Sequence, residues 1–443
     1  MTAAAGPPAT LDARTQRLVL AGMVAYLALG AFEALAVATA MPTVAAELDG
    51  LRLYTYAFSA TSAASVVGML VAGRWSDRHG PTPPLWAGIA LFLTGLLVAG
   101  LAPSMTVLIV GRVLQGAGGG LEGVALYVLV AHVFPESRRA KVFAWFAAAW
   151  VVPGAVGPLL AGLVTQHLGW RWVFLAVPVL ALPALLALRP ALTAGWGARP
   201  ERDGGTLPSR SVLAPILRGE RGLGAVAQIR VLVSAAFVGA EVLLPLALVH
   251  ERGITPAVAG TVLTLHVLGW SAGSWVRGRG LHGLSHTGFL RLGGALLATG
   301  IAGVALLTVP AVPIAVAAAP WVLAGLGMGL SYPTLNLLAL ELAPAGGQGT
   351  AMSALQVADA LAAAVALAGT GALLWSLHDG LGLAAYAACL ALAATAAVLA
   401  AGLAGRTRAG AVVNQTDRVT NQMADPSGVR EPVDEDAVAA RSY

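Results

Sequence analysis

Long apolar stretches, broken at intervals by Gly, Pro and charged residues, dominate this chain. They fall at about 18–41, 54–74, 84–102, 105–133, 142–166 and 172–188, and again at about 228–249, 256–276, 288–308, 313–339, 349–376 and 380–404. As helices rising roughly 1.5 Å per residue, each is long enough to cross a hydrocarbon layer about 30 Å thick. The pattern predicts an all-α integral membrane protein with 12 transmembrane helices in two sets of six. Between the sets, residues 190–224 carry Arg199, Arg202, Arg210, Arg218 and Arg221 among Gly and Pro, which reads as a surface linker. The expected organisation is an N-terminal segment 1–16, a six-helix bundle 17–189, the linker 190–224, a second bundle 225–404 and a polar, disordered tail 405–443.

Composition agrees with that reading. Of 443 residues, 58% are hydrophobic and 11% charged, with mean hydropathy +0.79, whereas a soluble domain carries roughly 25% charged residues. The net charge of +5 does not point to nucleic acid, because the basic residues sit scattered at segment ends instead of forming one patch. They act as topology signals. With both termini inside, only Arg52, Arg171 and Arg252 fall outside, while Arg74, Arg78, Arg138, Arg139, Lys141, Arg277, Arg279 and the linker arginines fall inside; this predicts cytoplasmic termini. Met1 to Asp12 lacks a cleavable leader pattern, so the first apolar segment is expected to remain as a span. The single cysteine, Cys389, rules out an intramolecular disulfide. Neither a nucleophile with its base nor a metal-ligand cluster is visible, and Gly118–Gly120 lacks the Lys-Ser/Thr of a phosphate loop. An enzyme is not expected, nor is a cofactor.

The two sets of spans also echo each other. Gly73-Arg74-Trp75-Ser76-Asp77-Arg78-His79-Gly80 aligns without gaps on Gly273-Ser274-Trp275-Val276-Arg277-Gly278-Arg279-Gly280, and Val113-Leu114, Gly116, Gly118 and Gly120 echo Val322-Leu323, Gly325, Gly327 and Gly329. Such a repeat predicts two pseudo-symmetric bundles with a binding site between them. The chemistry is not repeated, since Arg112 becomes Trp321, Gln115 becomes Ala324 and Asp77 becomes Arg277.

Ionised groups at membrane depth are costly and mark function. In Gly111–Glu122, residues Arg112, Gln115, Gly119 and Glu122 share one helix face at 100° per residue, and that face must look into protein or water. Glu122 lies ten residues from Arg112, about 15 Å along the helix, so it reads as a separate cavity residue. Glu33 lies roughly 22 Å into the first span. Glu241 occupies a similar depth in the seventh, and Asp359 follows Gln356 by three residues in the eleventh. Burial and a neighbouring Arg push carboxyl titration in opposite directions, a balance that proton coupling requires. The proton-coupling candidates are therefore Glu33, Arg112, Glu241 and Asp359, and the cavity candidates Glu33, Gln115, Glu122, Glu241, Trp321 and Gln356. Permanently neutral acids and structural polar contacts are the competing explanations. His266 reads as a structural polar group, and Trp270, Trp321 and Tyr332 read as stacking residues or interfacial anchors.

Four motifs in order give the chain a resemblance to the major facilitator superfamily, in particular its drug:proton antiporters, over nearly all of 17–404. Glu33-Ala34-Leu35-Ala36-Val37-Ala38-Thr39-Ala40-Met41-Pro42 is similar to the first-helix motif, which usually begins with Asp. Gly73-x-x-x-Asp77-Arg78-x-Gly80 resembles the loop motif after the second helix, and Arg112-x-x-Gln115-Gly116 the fourth-helix motif. Pro153-Gly154-Ala155-Val156-Gly157-Pro158-x-x-Ala161-Gly162 resembles the fifth-helix motif associated with antiport. The resemblance implies that Glu33 and Glu241 face substrate. It implies that Gly73, Asp77, Arg78 and Gly80 form an inner gate, with Asp77 capping helix eleven near Gly349. It also implies that Gly154, Gly157, Pro158 and Gly162 pack and bend the fifth helix. The expected function is export of a small amphipathic or drug-like molecule by proton antiport through alternating access. The expected partners are that substrate, protons and the lipid bilayer of the cell membrane, with the protein a monomer. A proton-driven importer of a small nutrient and a transport-inactive receptor on the same fold are the alternatives.

Overall fold

The computed structural model of the chain describes residues 11–194, 218–279, 284–343 and 348–408, and among them all regular structure is helical. Seven helices make the first half: α1 (Ala13–Glu47), α2 (Tyr54–His79), α3 (Thr82–Gly100), α4 (Met105–Val133), α5 (Glu136–Ala148), α6 (Val151–His167) and α7 (Arg171–Thr193). The second half holds α8 (Leu223–Leu246), α9 (Pro256–Arg279), α10 (His286–Val304), α11 (Ile314–Ala318), α12 (Trp321–Leu342), α13 (Gln348–Leu381) and α14 (Leu383–Leu403). Most of the linker and tail expected from sequence lies outside the described residues.

Local chemistry explains several boundaries. Ser104 and Ser285 cap α4 and α10 by accepting from the backbone N–H of Val107 and Gly288, which satisfies donors that a helix start leaves open. Gly80 ends α2 at φ +78°, a conformation that costs glycine little. The Gly73–His79 stretch, expected in a loop, instead forms the last two turns of α2. The span expected at 142–166 is divided into α5 and α6 at residues 149–150, and the one at 313–339 into α11 and α12 at residues 319–320.

Ten helices among the described residues are long and apolar enough to cross a membrane. The fifth and eighth expected spans fall short: α6 has only 17 residues, and α9 carries Thr261, Thr264, His266, Ser271 and Ser274. These two helices pack against each other. A Cβ on Gly162 would strike the carbonyl oxygen of Pro256, and one on Gly260 would strike that of Pro158, so small residues let the two backbones touch.

The internal repeat reaches the level of single contacts, in a register that differs from the ungapped sequence match. A Cβ on Gly116 would run into the Thr61 carbonyl oxygen, and one on Gly325 into that of His266. Gly120 likewise meets Ser65, and Gly329 meets Trp270; Gly68 meets Ala117, and Gly273 meets Leu326. α4 thus maps onto α12 by 116→325 and 120→329, whereas α2 maps onto α9 by 61→266, 65→270 and 68→273. The alignment of Gly73 on Gly273 is out of register. Both segments carry Gly, Trp and Arg because both are helix ends at a membrane surface, and similar composition produced the false match.

The halves meet on the face opposite the chain termini. There Tyr54 Oη donates to the carbonyl oxygen of Val242 at 2.8 Å, Thr55 sits against Gly371, and exposed Arg52 pairs with Asp379 at 3.5 Å. Buried residues Ala36–Ala45 of α1 belong to one apolar core continuous with the second half. Towards the termini, among the described residues, Val19, Met23 and Tyr26 belong to a separate core shared with α3, α4, α5 and α7. Apolar packing joins the halves on the far face and divides on the near face.

Candidate functional site

Two polar rungs connect α1 to α4. In the first, the Arg112 guanidinium donates through Nη1 to Glu33 Oε1 at 2.6 Å and to Gln115 Oε1 at 2.9 Å, while Gln115 Nε2 donates to the same Glu33 oxygen at 3.0 Å. All three side chains are buried, and charge-assisted bonds of this length are the strong ones. In the second, Tyr26 Oη donates to Glu122 Oε2 at 2.7 Å. Glu122 is thus separate from Arg112, and its partner is a tyrosine that sequence reasoning passed over.

Between the rungs the helices leave room. Gly30 lies between Tyr26 and Glu33 on one face of α1, and Gly119 lies between Gln115 and Glu122 on one face of α4. Apart from each helix's own backbone, no atom comes within 4 Å of where a Cβ on Gly30, Gly119 or Gly123 would sit. Seven residues separate the rungs along each helix, an opening roughly 10 Å tall.

The second half is built differently. Arg230 of α8 holds Asp359 of α13 through Nε at 2.8 and 2.7 Å, and donates through Nη1 to Asn336 Oδ1 at 2.9 Å. Its guanidinium carbon lies 3.6 Å over the Tyr332 ring, a cation–π contact, and Tyr332 Oη donates to Asp359 at 3.4 Å. Farther along α8, Glu241 Oε1 lies 3.6 Å from His266 Nε2 on α9, and the other ring nitrogen, Nδ1, lies 2.5 Å from the Leu263 carbonyl oxygen.

An aromatic series joins these two pairs. Phe237 packs edge-on to His266, lies parallel to Trp321 with centroids 5.3 Å apart, and contacts Trp270, which contacts Tyr332 at 5.1 Å. Such rings present π-faces to each other and, after rearrangement, to a cation or an aromatic ligand. Trp321 was expected to line an open cavity. It is fully buried in this cluster, because Phe237 covers one face and His266 approaches its ring at 5.7 Å.

A fold of two helical halves with charged pairs buried between their helices is what a secondary transporter requires, and the sequence agrees: the profile of the Major Facilitator Superfamily matches residues 18–367. The chain belongs to that superfamily. Multidrug resistance protein 3 of Bacillus subtilis is 29% identical over 181 residues, 41% of this chain and 35% of that protein. A probable multidrug-efflux transporter of Mycobacterium tuberculosis is 31% identical over 254 residues, 57% of this chain and 50% of that one. The chain therefore spans about a third to a half of the length of these curated relatives. Among solved structures, a bacterial homologue of the human lysosomal transporter Spinster, inward-facing and unoccupied, superposes with TM-score 0.69 at 14% identity over 89% of this chain and 96% of its own. A POT family transporter superposes with TM-score 0.71 at 14% identity over 94% of this chain and 100% of its own. At such identities the likeness is one of fold.

Within this major facilitator chain, the remaining sequence-derived candidates separate clearly. Gln356 is exposed on α13, one turn before Asp359. Gly73, Asp77 and Arg78 lie on the last turns of α2, with Asp77 exposed; the side chains around Gly349 that Asp77 was expected to meet lie outside those described. Gly154 and Gly162 face α9, where a Cβ would meet Val267 and Pro256 respectively. Gly157 would reach only ordinary contact with Phe32. The fifth-helix motif is thus largely a face for contact with the second half, and Pro158 supplies a carbonyl oxygen to it. Sequence reasoning missed Arg230 and Asn336 and dismissed His266. Arg230 lies between Ile229 and Val231 in an apolar run, the same signal that singled out Arg112. His266 gave no such signal, since only the packing of α9 on α8 brings it to Glu241.

Proposed function

We propose that this chain exports a small amphipathic or drug-like molecule from the cell in exchange for protons, by alternating access of one central site to the two sides of the membrane. The observation that carries the reading is the set of ionisable side chains held at membrane depth: Glu33 with Arg112, Arg230 with Asp359, and Glu241 with His266. Burial of such groups is costly, and membrane proteins retain them where charge or protons move. The names of the multidrug relatives favour a drug-like substrate. The opening between the two rungs of α1 and α4 suits a planar, partly apolar body, with Glu33, Gln115 and Glu122 as its polar contacts.

Termini in the cytoplasm follow from the arginine asymmetry. Closure on the far face then corresponds to the inward-facing state, in which substrate is loaded. With a neutral substrate an entering proton contributes about 2.3 kcal/mol per 100 mV of membrane potential, in addition to any pH gradient; with a monovalent cation exchanged one for one the charges cancel and the pH gradient alone drives export. The test uses everted membrane vesicles holding a pre-formed, inside-acid pH gradient. Addition of ethidium is expected to dissipate the gradient only when the protein is present. A gradient unaffected by ethidium and by a panel of chemically diverse drugs would remove the antiport reading. Proton movement in the same direction as the substrate would mean import.

A further inference from the structure

We propose that the exchanged proton is carried by the Glu241–His266 pair of the second half, and that Glu33–Arg112 is a permanent ion pair that does not load or release it. The inference deepens the antiport reading and rests on it. Its basis is the difference in partner. Arg112 is a guanidinium, which does not deprotonate in proteins, and it reaches Glu33 at 2.6 Å with Gln115 on the same oxygen. That rung is neutral as it stands and contains no proton that can leave without exposing a buried, unbalanced charge.

The second-half pair has a different proton inventory. A carbonyl oxygen only accepts, so the 2.5 Å contact with Leu263 fixes the hydrogen of His266 on Nδ1. Nε2 is then the atom turned to Glu241 Oε1, 3.6 Å away. One proton in that gap gives a neutral pair, written either as a carboxylic acid beside imidazole or as a carboxylate beside imidazolium. With that proton gone, a nitrogen lone pair faces a carboxylate and the pair carries one negative charge, which an organic cation can neutralise in the proton's place. Loading therefore releases one proton to the cytoplasmic water, and a proton from the far side re-forms the neutral pair as the cation leaves.

The surroundings suit that exchange. Glu241 is only partly buried, whereas His266 is covered by Phe237 and Trp321, so the carboxyl is the accessible end and the imidazole the fixed one. The aromatic series through Phe237, Trp270 and Tyr332 offers π-faces to the cation beside the carboxylate. The packed elements bring few other titratable groups. Tyr54 of α2 lies within electrostatic range of Glu241 and donates to Val242, and Tyr386 of α14 donates to Glu251. From α1 and α4 come Glu33 and Arg112, paired with each other. From α12 and α13 come Tyr332 and Asp359, joined to Arg230. His167 of α6 lies exposed at its helix end.

The test reconstitutes the full chain in liposomes with ethidium as probe and takes two readings: ethidium exchange with no gradient, and accumulation driven by an imposed pH gradient. Glu241→Gln and His266→Gln are expected to lose at least tenfold in gradient-driven accumulation relative to their own exchange, and Glu241→Gln, which removes the carboxylate that pairs with the cation, is expected to slow exchange as well. Glu241→Asp should keep accumulation, and Glu33→Gln should keep its response to the pH gradient. Retained accumulation in both second-half variants would overturn the assignment, as would loss of gradient-driven accumulation with exchange retained in Glu33→Gln alone. If wild type exchanges ethidium but never couples it to pH, the antiport reading fails, and the pair is then tested directly by nitrogen NMR of histidine-labelled protein, with His266→Gln identifying the signal. A His266 Nε2 signal that changes between pH 5 and 9 in wild type, and changes differently in Glu241→Gln, supports proton sharing by the pair. A signal unaffected by pH or by Glu241→Gln overturns it.

Discussion

The two halves of this chain share a skeleton and divide the chemistry. Gly116 on Thr61 and Gly325 on His266 are the same close approach made twice, so the backbone contacts that set helix spacing are conserved between halves. The side chains in the resulting space are not. Where the first half places Arg112 beside Glu33, the second has Trp321 at the matching position, and a histidine from the neighbouring helix comes to Glu241. An internal repeat of this kind copies geometry, and a charged pair is free to diverge once helix spacing is secured by glycine.

The largest expected effect probes the permanent pair. Arg112→Ala leaves Glu33 buried with only Gln115, and should lower unfolding stability by about 3–5 kcal/mol. Replacing both partners by apolar residues of similar volume, Glu33→Leu with Arg112→Met, should recover most of that loss. Chemical unfolding of the purified protein in detergent measures both variants. A double variant no more stable than the single one would mean that the rung is held by something other than charge compensation. Removing the acid of the second-half pair, Asp359→Asn, should cost less, about 2–3 kcal/mol, because Asn336 and the Tyr332 ring still engage the Arg230 left behind. If the two losses were equal, the extra partners of Arg230 would carry no weight.

Much of this division was legible in the chain. Hydropathy gave twelve apolar stretches, and the rule that intramembrane charge is costly gave Arg112, Glu33, Glu241 and Asp359. What periodicity could not give was partnership between helices. Arg230 meets Asp359 and His266 meets Glu241 only through packing of elements 129 and 25 residues apart in sequence, and no spacing along one helix encodes that. The repeat register failed for a related reason. Gly73 and Gly273 sit in similar compositions, but helix spacing is set by Gly68 and Gly273, whose neighbours on α4 and α12 are visible only in three dimensions. The apolarity rule also missed the break at residues 149–150, which leaves α6 short although its exposed face stays apolar.

The shared skeleton can be tested by matched glycine substitutions. Gly120→Ala drives a methyl into the Ser65 carbonyl and Gly329→Ala into that of Trp270. Each should destabilise by about 1–3 kcal/mol, and by similar amounts in the two halves. Gly119→Ala, one residue away in the open space between the rungs, should instead stabilise by about 0.5–1 kcal/mol, since alanine restricts the unfolded chain and favours helix. Thermal unfolding of the three variants gives the signs. A destabilising Gly119→Ala would mean that the opening between α1 and α4 is not free space.

The smallest expected effect concerns the seam between the halves. Arg52 and Asp379 bridge it at 3.5 Å, but their side chains are 76% and 75% exposed, so water and salt screen the attraction and two long side chains lose freedom to keep it. A double-mutant cycle of Arg52→Ala and Asp379→Ala should give a coupling below about 1 kcal/mol that vanishes at high salt. Closure would then rest on Tyr54, Thr55 and the continuous apolar core beneath them, whose contribution salt does not weaken. That difference is measurable: if the surface pair held the far face shut, raising ionic strength would speed labelling of a cysteine introduced at Val242 in a background lacking Cys389. A rate independent of salt is the expected outcome, because the group that must yield for the far face to open is the buried Tyr54 and not the exposed ion pair above it.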